Sequence, residues 1–196
     1  GDVIHALPAV SDIAACAPGA RIDWVVEGAL APIVRLHPRV GDVIPVALRR
    51  WRRAFWRTAV RAEIGACRRR LQAQDYDAVI DAQGLIKSAL IAIAARGERH
   101  GLDFHSAREP LAVFYHRTHR ITWDVHAVER TRLLAARALG YAVPARCDYG
   151  LACATRAFGW LGSGRYAVLL HATSGNYKLW DEADWTQLGC ALNDAG

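Results

Sequence analysis

Apolar positions along this chain gather in short runs, separated by longer stretches in which they recur at helical spacing. Residues 21–26, 42–46 and 76–81 each hold a compact apolar run and predict three strands, and residues 166–171 predict a later one. Between them, residues 27–36 read as a short helix and residues 49–74 as a long helical segment. Residues 85–95 form an apolar helix and residues 126–139 an amphipathic one closed by Gly140. Residues 181–195 predict a final helix with Asp181 as its N-cap. Strands spaced by helices imply βαβ units and therefore an α/β chain with a doubly wound parallel sheet. Three glycines and a serine fall within residues 158–165, just before the clearest strand. We expect a domain boundary there, with one domain over residues 1–160 and a second beginning at 161–196.

Composition narrows the class without naming a function. Of 196 residues, 53% are hydrophobic, ample for a packed core and incompatible with intrinsic disorder. No apolar run approaches the roughly 18–20 residues of a membrane span, and no signal peptide opens the sequence. Cys16, Cys67, Cys147, Cys153 and Cys190 are odd in number and lack C-x-x-C spacing. They predict reduced structural thiols in a cytoplasmic protein rather than a disulfide framework or a zinc site. Methionine is absent, and a translated reading frame starts with one. The expectation is a piece of a longer chain, with a strand preceding Gly1.

Charge then singles out one region. The chain carries 25 Lys+Arg against 19 Asp+Glu, a formal net charge of +6, and only Lys87 and Lys178 are lysine. Nine arginines fall between residues 49 and 70, with Glu63 as the sole acid. On a continuous helix Arg49, Arg53, Arg57 and Arg61 would form one stripe, with Trp51 and Phe55 on the opposite side. Such density is either a solvated face or a surface for an anion: phosphate, carboxylate, nucleic acid or acidic membrane. Trp51 among these arginines suits lipid headgroups.

Three further places suit chemistry, because ligands of doubly wound sheets bind beyond the carboxyl ends of the strands. Asp2 opens a helical run, either as its N-cap or as a group at a strand-to-helix turn. Asp81-Ala82-Gln83-Gly84 closes the third predicted strand, with Lys87 one turn further on. Its bland reading is a turn in which Gly84 supplies backbone freedom. Residues 171–178 follow the late strand; Thr173, Ser174 and Lys178 there suit a phosphate, although the spacing matches neither a P-loop nor G-x-G-x-x-G. Trp180 and Trp185 read as core. No histidine pair has metal-ligand spacing.

Six blocks carry a resemblance across nearly the whole chain. They are Gly1-Asp2-Val3-Ile4-His5-Ala6-Leu7-Pro8-Ala9, the segment from Ile44 through Arg49-Arg50-Trp51-Arg52, and the segment from Tyr76 through Asp81-Ala82-Gln83-Gly84-Leu85 to Ala89. The others are Ala107-Arg108-Glu109-Pro110-Leu111-Ala112, His126-Ala127-Val128-Glu129-Arg130-Thr131-Arg132 and His171-Ala172-Thr173. In this order they resemble the lipopolysaccharide heptosyltransferases of glycosyltransferase family 9. The Arg-Arg-Trp-Arg and Asp-Ala-Gln-Gly-Leu blocks point to the type I branch rather than types II or III.

The resemblance implies a GT-B architecture, two Rossmann-like domains with the acceptor on the first and the nucleotide sugar on the second. It implies inverting, metal-independent transfer of heptose from ADP-heptose to the first Kdo of Kdo-lipid A, with no cofactor. Asp2 would be the general base. Thr173, Ser174 and Lys178 would bind the donor diphosphate, Ser174 keeping the hydroxyl where the family usually has a second Thr. Arg49, Arg50, Arg53 and Arg108 would hold Kdo carboxylates and lipid A phosphates, Arg53 standing where Lys is common. The implied setting is a monomer, peripheral on the cytoplasmic face of the inner membrane of a Gram-negative cell, with no nucleic-acid partner. Residues 1–196 alone are expected to be inactive. The alternatives are another GT-B transferase and a basic nucleic-acid-binding α/β domain, the latter opposed by the lack of a stacking platform.

Overall fold

The computed structural model describes residues 1–154, 158–161, 164, 166–171 and 175–195. The chain divides into two compact units, Gly1–Cys153 and Ala154–Gly196. Within the first unit, helix α1 (Asp2–Cys16) leads into β1 (Ile22–Glu27), then a short turn and α2 (Ala31–Val34), then β2 (Val40–Val46). Next come α3 (Leu48–Ala54), α4 (Thr58–Leu71), β3 (Asp75–Ile80), α5 (Ile86–Ala94), β4 (Arg96–Leu102), β5 (Arg117–His119) and α6 (Ala127–Leu139). Every strand pairing is parallel, β1 with β2 in one sheet and β3–β4–β5 in another. This is the expected α/β arrangement with helical crossovers.

The packing follows the apolar pattern. Ile44 of β2 shares a core with Leu71 of α4 and Ala95, against which Val25, Val79 and Ile91 pack, so one apolar cluster spans both sheets. The Tyr76 hydroxyl donates to Asp23 Oδ2 at 3.1 Å, tying β3 to β1. Helices α1 and α6 lie together over Ile22 and Ile80. Between these helices Arg132 and Asp12, with side chains 4% and 3% exposed, form a bidentate pair at 2.7 and 3.1 Å. Arg132 also donates to the carbonyls of Pro144 and Arg146 and to Glu129. Its guanidinium is held more firmly charged than usual, chiefly by the hydrogen bond to Asp12. At the other end α6 closes on Gly140 at φ 74°, the left-handed residue expected there.

Several expectations fail for identifiable reasons. Residues 49–74 are two helices rather than one: Arg57 is extended (φ −74°, ψ 131°) and starts α4 anew. The predicted arginine stripe is therefore broken, and Phe55 lies exposed in the joint while Trp51 is partly buried. Strand β4 escaped the hydrophobic pattern because Arg96-Gly97-Glu98-Arg99-His100-Gly101-Leu102 satisfies its buried face with polar partners. His100 stacks on His119 with ring nitrogens 3.0 Å apart, and Arg99 donates to the Phe114 carbonyl.

In the second unit the described residues hold a single turn (Asn176–Lys178) and helix α7 (Glu182–Asp194). Residues 166–171 form no strand: no neighbour pairs with them among the described residues, and Val168 and Leu170 remain exposed. A strand exists only through its ladder partner, so the apolar run alone does not make one. Asp181 sits at the N-cap of α7, but its side chain makes no capping bond. Trp180 is exposed rather than core, packed edge to face on Trp185 at 5.0 Å. All five cysteines are unpaired, and all but Cys67 are exposed.

Candidate functional site

The site begins where β3 ends. Asp81, 4% exposed, accepts from the amides of Gln83 (3.0 Å) and Gly84 (3.1 Å), the Ser88 hydroxyl (2.8 Å) and the Tyr115 hydroxyl (2.7 Å). Four donors on one carboxylate fix the loop of residues 82–85 in place. Gly84 adopts φ 63°, a conformation that glycine takes without strain. The Tyr115 ring fits because residue 101 is glycine; a Cβ there would collide with it. Burial, and then the Asp81 carboxylate, push the Tyr115 hydroxyl pKa well above the usual tyrosine value. Glu109 Oε2 accepts the first free amide of α5, from Ile86, at 2.6 Å.

That loop forms one wall of a cleft of about 340 Å³ within the first unit. The opposite walls come from the first turn of α1 (Asp2, His5), from Arg108 and Trp123, and from the start of α6 (Ala127, Arg130, Thr131). Leu102 at the end of β4 closes the floor, so the cleft lies beyond the carboxyl ends of β3 and β4. Both helix N-termini contribute positive potential to it. Arg108 and Arg130 add two cations, and Asp2 is the only carboxylate among the lining residues.

Arg130 is anchored without being neutralised. Its guanidinium lies 3.8 Å from the Trp123 ring centroid and donates to the carbonyls of Thr122 (2.7 Å) and Ser106 (2.9 Å). Burial, and then the nearby Arg108 cation, pull its pKa below the usual guanidinium value. Arg108 is exposed and approaches the same ring at 5.7 Å. The chemistry of such a cleft suits an anionic, hydroxyl-bearing molecule, with one carboxylate available to its hydroxyls.

Asp2 occupies the first turn of α1, with Gly1 as N-cap, so the capping alternative does not hold. The structure brings Asp2 and Arg108 together, with Gln83. Arg49, Arg50 and Arg53 do not line the cleft; they belong to α3. Arg50 is paired bidentately with Glu63 (2.5 and 3.0 Å), which also accepts from the Trp51 indole at 3.0 Å. Lys87 is exposed on α5, off the cleft. Thr173 and Ser174 lie outside the described residues. Lys178 is in the second unit, exposed, with Nζ 5.4 Å from the Tyr177 ring. Among the described residues no group of three His, Cys, Asp or Glu is arranged for a metal ion.

Trp123, Arg130 and His5 escaped the residue-by-residue reading. Arg130 and His5 both stand in quoted sequence blocks, and the signal for them is positional: each falls in the first turns of a helix that starts at the sheet's carboxyl edge. Trp123 carries no such local mark, since only the fold sets it against Arg130.

The comparisons with known proteins place the chain in a family. Residues 64–196 match glycosyltransferase family 9 (heptosyltransferase). The chain is 49% identical over 199 aligned positions to lipopolysaccharide heptosyltransferase 1 of Escherichia coli K12, covering 100% of this chain and 62% of that protein. The Pseudomonas aeruginosa protein of the same name is 48% identical, with 100% and 56% covered. Among solved structures, E. coli heptosyltransferase WaaC with ADP superposes with a TM-score of 0.89 at 46% identity, over 100% of this chain and 62% of that one. WaaC with ADP-2-deoxy-2-fluoro heptose gives 0.87 at 47%, covering 100% and 63%. The chain thus spans about three-fifths of the length of these relatives.

Proposed function

The chain belongs to glycosyltransferase family 9, the heptosyltransferases, and from that premise we propose that the protein transfers heptose from ADP-heptose to the first Kdo of Kdo-lipid A, with inversion and without a metal ion. The observation that carries the reading is Asp2, the sole carboxylate in a cleft otherwise lined by cations, helix N-termini and neutral groups. In a single displacement the acceptor hydroxyl oxygen attacks the anomeric carbon. The bond from that carbon to the diphosphate oxygen breaks, and ADP leaves with the electron pair. Asp2 takes the hydroxyl proton on the face opposite the leaving group.

The first unit is the acceptor side in this reading. Arg108 binds a Kdo carboxylate beside Asp2, and Arg49, Arg50 and Arg53 bind the more distant carboxylates and phosphates. Thr173, Ser174 and Lys178 hold the donor diphosphate, and the Lys178 ammonium offsets the charge that builds on it, the role a metal plays elsewhere. An ADP-sugar donor is supported by the solved relatives, described with ADP and with a fluorinated ADP-heptose. No cofactor is required. No helix among the described residues is long and apolar enough to cross a membrane, and the proposed acceptor is a lipid. In this reading the protein works as a monomer, peripheral on the cytoplasmic face of the inner membrane, where such a lipid acceptor would be met.

The test follows ADP release from ADP-heptose by the full-length protein, with and without Kdo-lipid A. Release should depend on the acceptor and fall by about 10²–10⁴-fold in Asp2→Asn. Undiminished turnover in that variant would remove Asp2 from the mechanism. Transfer from a different nucleotide sugar would keep the family and discard the donor.

A further inference from the structure

The joint between α3 and α4 presents two aromatic rings where a buried turn would be expected to hide them. Phe55 is 62% and Trp56 60% exposed, packed edge to face with centroids 5.5 Å apart. Arg61 braces the joint by donating to the Trp56 carbonyl and the Thr58 hydroxyl. The surrounding arginines fall into two groups. Arg50 and Arg70 are neutralised by Glu63 and Asp42. Arg49, Arg52, Arg53 and Arg57 are exposed and have no carboxylate partner among the described residues.

We propose that the tip of the α3–α4 hairpin, Phe55 and Trp56 flanked by Arg52 and Arg57, is a docking surface for an anionic lipid bilayer. It rests on the membrane-facing part of the proposed function and gives that face its residues. An aromatic pair at a loop tip is costly to leave in water and suits the headgroup level, where an indole has an apolar body and a polar edge. Unpaired arginines beside it match the negative surface potential of anionic lipids, and at that distance each contributes to attraction. Nucleic acid fits the arginines but not the tip. The two rings meet edge to face, so they offer no pair of parallel faces for successive bases. The surface also suits the chemistry of the acceptor, whose phosphates lie at headgroup depth.

The test is co-sedimentation of the full-length protein with vesicles, in the absence of any acceptor lipid. Vesicles of phosphatidylethanolamine with phosphatidylglycerol should retain it, pure phosphatidylcholine should retain much less, and salt should release it. Phe55→Ser with Trp56→Ser should weaken retention by about tenfold. The folded double variant should still transfer heptose to a deacylated, water-soluble acceptor within about twofold of wild type. Arg52→Gln with Arg57→Gln is the second arm, needed if the aromatic variant fails to fold, and should weaken retention about fivefold or more. Wild-type retention by either folded variant overturns the proposal, as does binding to random single-stranded DNA with none to anionic vesicles. Loss of transfer in every form, wild type included, would instead remove the proposed reaction while leaving the vesicle result standing.

Discussion

Two arginine-rich regions of the first unit are built in opposite ways. On α6, Arg130 and Arg132 are pinned: Arg130 by a Trp123 face and backbone carbonyls, Arg132 by Asp12, Glu129 and two carbonyls. On the α3–α4 hairpin only Arg50 and Arg70 have carboxylate partners, and both partners are solvent-reached. The same residue type therefore does two jobs. Where the guanidinium is held by groups that do not move with solvent, it can set the position of a ligand to within tenths of an ångström. Where it is hydrated, it supplies charge to a surface and little geometry.

Breaking the pinned side should be the most damaging change. Asp12→Ala leaves the Arg132 cation buried between α1 and α6 without its main partner. It should cost about 3–5 kcal/mol of unfolding free energy, read by urea titration of the first unit's transition. Replacing both members by apolar residues, Asp12→Leu with Arg132→Met, should recover much of that loss. If the single change costs under about 1 kcal/mol, α6 is not held as the comparison requires.

Arg130→Lys keeps the charge but loses the planar stack and the fork onto Thr122 and Ser106. We expect kcat/KM for heptose transfer to fall about tenfold, while Arg57→Lys on the hairpin leaves it unchanged. Equal effects from the two substitutions would erase the distinction between pinned and hydrated arginines.

The buried histidines elsewhere in the first unit and the carboxylates paired with the hairpin's arginines should also respond to acid in different windows. His37, 2% exposed, meets the Ser11 hydroxyl at 3.0 Å and accepts from the Arg39 amide at 3.2 Å. Burial holds its pKa below the ordinary imidazole value, and burial and His100 do the same for His119. Below about pH 6.5 the unfolded chain takes up these protons first, so stability present above that pH declines as pH falls toward the folded values. Glu63 and Asp42 are lowered instead, by Arg50 and Arg70, and the little that these solvent-exposed pairs contribute is lost only below about pH 4. Urea midpoints should therefore drop between about pH 7.5 and 5.5, and His37→Gln should flatten that slope. A slope unchanged in His37→Gln and in His119→Gln would place the pH sensitivity elsewhere.

Much of this arrangement was written in local pattern. β1, β2 and β3 declared themselves through short apolar runs and α5 and α6 through apolar spacing, α6 also through its terminal Gly140. β4 did not, since its two glycines and polar side chains make sense only beside Tyr76, Phe114 and His119. Asp2 and Arg108 were visible from their blocks, whereas Arg130, although in a block, gains its role only when the turn into α6 sets it over the Trp123 ring. The hairpin shows the same limit. Helical spacing ran through Phe55 and Trp56, and only the extended backbone of Arg57 turns a continuous stripe into a corner.

The smallest expected effect lies on that corner. Arg50 and Glu63 make a short bidentate pair, and the Trp51 indole adds a third bond, so by geometry alone it rivals the Asp12–Arg132 pair. Its environment is different: the two side chains are 56% and 42% exposed, against 4% and 3%. Water already solvates both charges when the pair opens, so forming it replaces one good environment with another. Glu63→Gln should leave the unfolding midpoint unchanged within error at neutral pH. What it changes is the balance of free charge, because Arg50 then joins Arg49, Arg52 and Arg53 as an unneutralised cation. Retention on phosphatidylglycerol vesicles should rise modestly, about fivefold at most. A large stability loss with no gain in retention would mean that the hairpin's geometry, rather than its charge, is what the pair maintains.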